Sequence, residues 1–323
     1  MKTLTTILVI AVAFLLPLAN LQAATWNVPG DFATIQVALD SPEVIPGDTI
    51  MVGPGQHAGA TITKAVEIRG EGGATIVDGP LLAPYPYACG FFFPGQGAGS
   101  GATISHLKFE TVEFPVMSRG ADNVTVSQCS LVDSLQGISN WGGSGWEISH
   151  NEITDLRCNN GGGIAVLVGA RFGEMIVDNV VSHNKISGTL HVPPPYDEGG
   201  TEKGGYEGSG IVLYADFRYG WPGAAEISCN RVVKNKVSLV SDNASLVDVC
   251  AFELSEVYLP AQHPGESSIV TTENTVGFND FRGTLNQIVL SPEILADYNS
   301  ISRNLGKNRG QGLPPSVFGP GGN

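Results

Sequence analysis

Charge is scarce in this chain. Only 15% of its 323 residues are Asp, Glu, Lys or Arg, and the 17 basic residues are outnumbered by 31 acidic ones, a net of −14. A shortage of clustered Lys and Arg excludes nucleic acid as a partner, because that binding rests on neutralised phosphates. It also disfavours unaided contact with anionic lipid. Cysteine is sparse and odd in number: Cys89, Cys129, Cys158, Cys229 and Cys250. Irregular spacing and the lack of any CxxC make a poor disulfide framework and exclude the usual zinc and redox motifs. The expectation is that these cysteines line an apolar wall. Four Met and six His leave no ligand-rich run for copper. There is no Asp-Asp dipeptide, no Walker loop, no HExxH, no GxSxG and no EF-hand loop. Long apolar runs are also missing, apart from one. Lys2 is followed by an uncharged stretch to about Leu18 and then by Ala19-Asn20-Leu21-Gln22-Ala23-Ala24. That run is short for a membrane span, which needs about 20 apolar residues. A basic start, a short apolar stretch and a small-residue exit read as a secretory signal over residues 1–24. The expected product has no membrane span, is secreted or periplasmic, and carries 16 basic against 31 acidic residues, a net of −15.

Glycine, by contrast, is abundant, with 42 of 323 residues, nearly twice the usual share. With 42% hydrophobic residues, the profile fits many short strands joined by tight turns. One phrase recurs: Ile148-Ser149-His150-Asn151-Glu152-Ile153, Val181-Ser182-His183-Asn184-Lys185-Ile186 and Ile227-Ser228-Cys229-Asn230-Arg231-Val232. Anchored on its Asn slot, the series runs Leu107, Cys129, Asn151, Asn184, Asn230, Asn274 and Asn299, in steps of 22, 22, 33, 46, 44 and 25 residues. Self-similarity on that scale means stacked coils, each pairing with the next at about 4.8 Å. The Asn is expected at a corner, where it tolerates left-handed backbone and hydrogen-bonds along the column. A second strand, Gly163 to Gly173, aligns without gaps to Gly210 to Gly220, which sets Arg171 against Arg218 and Phe172 beside Tyr219. The fold expected is all-β: a single-stranded parallel β-solenoid.

The N-terminal part carries more specific phrases. Phe32-Ala33-Thr34-Ile35-Gln36-Val37-Ala38-Leu39 is followed by Pro46-Gly47-Asp48-Thr49-Ile50-Met51-Val52, Pro54-Gly55, Ala65-Val66-Glu67-Ile68-Arg69-Gly70 and Ala74-Thr75-Ile76-Val77-Asp78-Gly79. These resemble the opening of right-handed parallel β-helix proteins of the pectin lyase-like superfamily, with PbH1-type repeats. The resemblance spans about Trp26 to Asn304 and is specific for fold, since many functions share that fold. It implies a right-handed helix over residues 25–305, a short helix closing the open first coil, and a Gly/Pro-rich tail over 306–323.

On a solenoid, loops that leave one corner align into a groove. Three stretches read as insertions: Tyr85 to Ala102, with Phe91, Phe92 and Phe93; His191 to Gly208, with Tyr196 and Tyr206; and Glu256 to Ser267, with Tyr258 and His263. The densest local cluster is Tyr214-Ala215-Asp216-Phe217-Arg218-Tyr219-Gly220-Trp221. Aromatic faces suit sugar rings, while Asp and Arg suit hydroxyls or carboxylates. Tyr214, Tyr219, Trp221, Tyr196 and Tyr206 are therefore candidate polysaccharide contacts. In polysaccharide lyases of the superfamily an Arg or Lys abstracts the C5 proton of a uronate while calcium neutralises its carboxylate. The resemblance thus makes Arg218 and Arg171, with Asp216, candidate catalytic residues and calcium the candidate cation. Salt-bridged corner arginines are the bland alternative. His150 and His183 share a slot and are expected to stack as a polar ladder. Asp133 and Asp155 share another, as solvated acids or a carboxylate pair. No residues are assigned to a resident metal. Two main functions follow: a non-catalytic exported protein that binds polysaccharide or envelope glycan, or serves as a scaffold; alternatively a polysaccharide lyase or glycoside hydrolase. A periplasmic metal-delivery protein is a third.

Overall fold

The computed structural model describes residues 22–83, 87–158, 163–171, 173–192, 208–216, 225–245, 247–257, 269–290 and 299–306. Strands run from β1 (Thr25–Val28) to β28 (Ser300–Ser302) in four parallel sheets of ten, eight, seven and three strands. One turn of the coil shows how they arise. Thr103–Ser105 lies in the ten-stranded sheet, Lys108–Glu110 in the seven-stranded and Phe114–Arg119 in the eight-stranded. The chain then returns to the ten-stranded sheet at Thr125–Ser127, 22 residues on, directly against Thr103–Ser105. Three successive coils, at Met175–Val177, Ala225–Ser228 and Ile269–Thr272, add a strand of the three-stranded sheet before that return. The protein is a right-handed parallel β-helix, as the resemblance implies.

Alternation explains the core. In the ten-stranded sheet one inward column reads Ile50, Ile68, Ile104, Val126, Ile148, Val181, Val232 and Val276, each paired with the next and essentially inaccessible. Like side chains stack because parallel strands in register put the same slot above itself. At the first bend of the eight-stranded sheet the coils crowd. A Cβ on Gly137 would stand 2.6 Å from the Ala165 carbonyl oxygen, and one on Gly210 2.6 Å from that of Ala251, so only glycine fits. The closing helix α1 spans Ile35–Asp40 rather than 32–39; Thr34 caps it, and Ile35, Ala38 and Leu39 are buried over the first coil.

The structure corrects the repeat in three ways. First, the expected Asn series belongs to two columns. Asn151, Asn184, Asn235, Asn279 and Asn304 form one, each after the first accepting from the backbone N–H and side-chain amide of the Asn before it. Asn179, Asn230, Asn274 and Asn299 form the other, five residues earlier in each coil. Second, the left-handed residue is the one before the Asn: His150, His183, Lys234, Phe278 and Arg303 in the first column, and Asp178, Cys229 and Glu273 in the second, all with φ between 55° and 61°. Third, strands Ile164–Arg171 and Ser209–Asp216 pair with a two-residue offset from the expected alignment, so Arg171 faces Asp216, not Arg218. An offset of two keeps every inward residue inward, and burial pattern alone cannot detect it.

Two further expectations change. Phe91 and Phe93 are fully buried on strand Cys89–Phe93, inside the wall and not in an insertion. Cys89, Cys129, Cys158 and Cys250 are buried, but Cys229 is exposed. Its slot is the outward-pointing corner residue, whereas Cys129 takes the buried Asn slot. Burial pushes the Cys89 and Cys129 thiols up to about 12. Cys229 is also raised, chiefly because its thiol donates to Glu273, with burial and the charges of Glu273 and Asp178 adding to the effect. An aromatic disulfide reagent should therefore count one thiol in the native protein and five after unfolding. Glu273→Gln should speed that single reaction by lowering the thiol's pKa. A second native thiol, or an unchanged rate, would overturn the assignment.

Candidate functional site

The outer face of the eight-stranded sheet departs from what a solvated face requires. On β20 (Ser209–Asp216), Ile211, Leu213 and Ala215 point into the core and Val212 and Tyr214 point out. Two outward columns cross this face. One reads Ser139, Leu167, Val212 and Glu253; the other reads Trp141, Gly169, Tyr214 and Ser255. Ser139, Leu167, Val212 and Tyr214 are all buried.

Trp141 is half-buried and ends strand Gln136–Trp141. Its ring lies over Gly169, where an added Cβ would come within 2.6 Å of the indole, and its centroid is 5.4 Å from that of Tyr214 at 60°. Glycine at 169 thus makes the seat for the ring. Tyr214 points out but is covered, at 1% exposure, and backs the Trp141 ring. On the next coil Glu253 is 3% exposed on strand Cys250–Val257. A carboxylate this deep costs several kcal/mol unless donors compensate it. Ser209 Oγ donates to it at 3.1 Å and Ser255 Oγ at 2.8 Å, with Cys250 Sγ at 3.9 Å. Beside them the Asn286 amide donates to the Asp248 carboxylate. At the other end of the face Arg171 is clamped by Glu174, with guanidinium contacts from 2.6 to 3.2 Å, while its backbone N–H donates to the same carboxylate at 2.7 Å. An arginine held this way offers a fixed positive charge rather than a base.

Of the residues singled out in the sequence, Arg171, Asp216 and Tyr214 lie on this face or at its edge. Arg171 and Asp216 are opposite each other in adjacent strands. Arg218, Tyr219, Trp221, Tyr196 and Tyr206 lie outside the described residues. Trp141, Ser209, Glu253 and Ser255 were missed. The available signal was an acid, Glu253, set in the run Val249-Cys250-Ala251-Phe252-Glu253-Leu254, otherwise free of charge.

The other two slots have structural occupations. The rings of His150 and His183 stack at 4.8 Å and 3°, the expected ladder. Asp133 and Asp155 both sit in left-handed corners. Asp133 meets Arg157 at 3.3 Å, and Asp155 accepts from the Thr189 N–H at 2.7 Å, so each ties its corner to the next coil. Among the described residues no group of three or more His, Cys, Asp or Glu is placed to hold a metal ion, and no helix is long and apolar enough to cross a membrane.

No family model and no curated protein matches this chain. Among solved structures it is similar to the tailspike protein gp49 of Acinetobacter baumannii bacteriophage Fri1, a capsular polysaccharide depolymerase. The identity is 10% over 92% of this chain, with a TM-score of 0.33. The chain spans 63% of the tailspike, less than two thirds of its length. It is also similar to an alginate lyase from Paenibacillus, with 13% identity over 88% of this chain and 99% of that one and a TM-score of 0.26. At these identities and scores neither likeness carries a functional argument.

Proposed function

We propose that this chain is an exported polysaccharide-binding β-helix whose contact surface is the outer face of the eight-stranded sheet. The line from Trp141 through Tyr214 to Glu253, across four successive strands, carries the reading. A half-exposed indole backed by a buried ring is a platform for the apolar face of a sugar. The Glu253 carboxylate, held in place by the Ser209 and Ser255 hydroxyls, supplies an acceptor for sugar hydroxyls. Neighbouring outward positions are Leu167 and Val212, so an apolar residue would fit the Glu253 slot without the desolvation cost. Segments 193–207 and 217–224 adjoin β20 in sequence, and Tyr196, Tyr206, Arg218, Tyr219 and Trp221 are proposed to extend the same contact.

Chain cleavage is the second reading, favoured by the strand register that sets position 171 opposite position 216. In it Arg171 and Arg218 hold a uronate carboxylate, with calcium as the accompanying cation. The clamp from Glu174 makes charge recognition the better role for Arg171. The test is a panel of neutral and uronate-containing polymers. Wild type should bind at least one, and Trp141→Ala should weaken that binding roughly tenfold, the scale of one lost aromatic contact. Glu253→Gln should weaken it as well. Wild type retained by no polymer, or Trp141→Ala binding as well as wild type, would sink the binding reading. A rise in absorbance from unsaturated products would transfer the site to a lyase.

A further inference from the structure

A second surface lies at the corner between the ten- and seven-stranded sheets. The residue before each ladder Asn points outward there, and successive coils stack these residues in one file. His150, His183 and Lys234 follow one another through backbone N–H bonds from each to the coil beyond. Phe278 continues the file, and the Arg303 guanidinium lies 5.2 Å from the centre of its ring. All five are exposed, with Phe278 at 56%. Left-handed backbone at each, with φ between 55° and 60°, fixes where the side chains leave the surface. Five coils at one strand spacing give a file about 19 Å long.

The charges around the file are lopsided. Arg231 flanks it on the ten-stranded sheet, and Lys185 and Lys236 flank it in register on the seven-stranded sheet. Lys185 is paired with Glu152 at 2.5 Å, and Arg282 with Asp280 at 2.8 Å. Arg231, Lys234, Lys236 and Arg303 have no carboxylate within ion-pair distance among the described residues. Four cations without an ion-pair partner among the described residues, at one corner of a chain with 17 basic residues and a net charge of −14, form a local reversal of sign.

We infer that the file His150–His183–Lys234–Phe278–Arg303, flanked by Arg231 and Lys236, is a binding ladder for a linear acidic polysaccharide. A single file of cations one strand spacing apart suits a single-file polymer with recurrent carboxylates, and Phe278 adds an apolar face for a sugar ring. A broad polyanion such as duplex DNA or an anionic bilayer would meet the acidic remainder of the surface and be repelled. The ladder takes from the polysaccharide reading only the class of polymer and adds a separate surface. His183 is held below the ordinary histidine range by burial first, then by His150 and Lys234. Lys185, Arg231, Lys234 and Lys236 face it, while Glu147 and Glu152 flank His150. Lowering the pH below the ordinary histidine range therefore adds positive charge at His183 while uronate carboxylates stay ionised.

The test uses polygalacturonate and dextran as acidic and neutral probes, with affinities measured by titration calorimetry at two salt concentrations. The variants are Lys234→Asn with Arg303→Asn, and separately Trp141→Ala. Asparagine tolerates the left-handed backbone, so the double variant is expected to keep the fold, which circular dichroism checks. It should lose roughly tenfold in affinity for polygalacturonate and show a shallower salt dependence, while Lys234→Arg retains binding. The double variant binding like wild type, or wild type binding DNA or anionic vesicles as tightly as polygalacturonate, would overturn the ladder. Loss in Trp141→Ala with the double variant intact removes the ladder and keeps the sheet face; the converse keeps the ladder alone. Wild type ignoring both polymers removes both.

Discussion

Replacing Asn184 with leucine should lower the free energy of unfolding by about 4 kcal/mol, because it strands several buried groups at once. Asn184 is 2% exposed. Its Oδ1 accepts from both the backbone N–H and the side-chain amide of Asn151, each at 3.0 Å. Its own amide donates to the Ile148 carbonyl at 2.9 Å and to Asn235 Oδ1 at 3.0 Å. Leucine fills a similar volume but leaves the two Asn151 donors and the Ile148 carbonyl without these partners. Each orphaned group costs about 1–3 kcal/mol, so three give about 3–9 kcal/mol, and partial relaxation keeps the sum near the lower end of that range. Urea unfolding should show a lower midpoint with an unchanged slope. A loss below about 1 kcal/mol would mean that the corner is held by strand pairing and that the Asn column is incidental.

The ladder also shows what was legible in the sequence and what was not. In-register stacking writes the same residue type into every coil, so Asn151, Asn184, Asn274 and Asn299 all stand out as a series. Yet two such corners occur five residues apart, and the local phrase around Asn230 matches that around Asn184 while belonging to the other column. Short-range pattern cannot separate two corners built by the same physics. The slip at Arg171 has a related cause, since side chains alternate with period two and a shift of two residues leaves burial unchanged. The candidate site was harder still. Trp141 and Glu253 are single departures on a face that periodicity assigns to solvent, and each is accommodated by a neighbour far away in sequence: Gly169 leaves room for the indole, and the coil brings Ser209 beside the acid. Repetition reveals the scaffold, whereas a site consists of residues that break the repetition.

Asp48 is such a break in the first coil, and Asp48→Asn should cost about 3 kcal/mol at pH 7, a loss that shrinks as the solution is acidified. The carboxylate is 1% exposed. Its Oδ1 accepts from the Ala24 N–H at 2.8 Å, and its Oδ2 from Trp26 Nε1 at 2.9 Å and the Ile45 N–H at 3.0 Å. It thereby fastens the first strand and its Trp to the turn that begins the next strand. Burial is the largest influence and pushes its carboxyl up. The bonds from Ile45, Trp26 and Ala24, with the charge of Lys64, together outweigh that and leave it below the ordinary range. A carboxylate lowered by folding contributes stability that is complete above its unfolded value near 4 and is lost as pH falls through the folded value. Asparagine cannot titrate, and its amide turns an N–H toward one of the three donors. Unfolding midpoints of wild type and variant should therefore lie farthest apart at pH 6–7 and approach each other toward pH 3. Parallel curves across that window would show that Asp48 acts by shape and not by charge. The Pro-Gly-Asp-Thr-Ile phrase would then mark a turn, with no electrostatic fastening of the first coil.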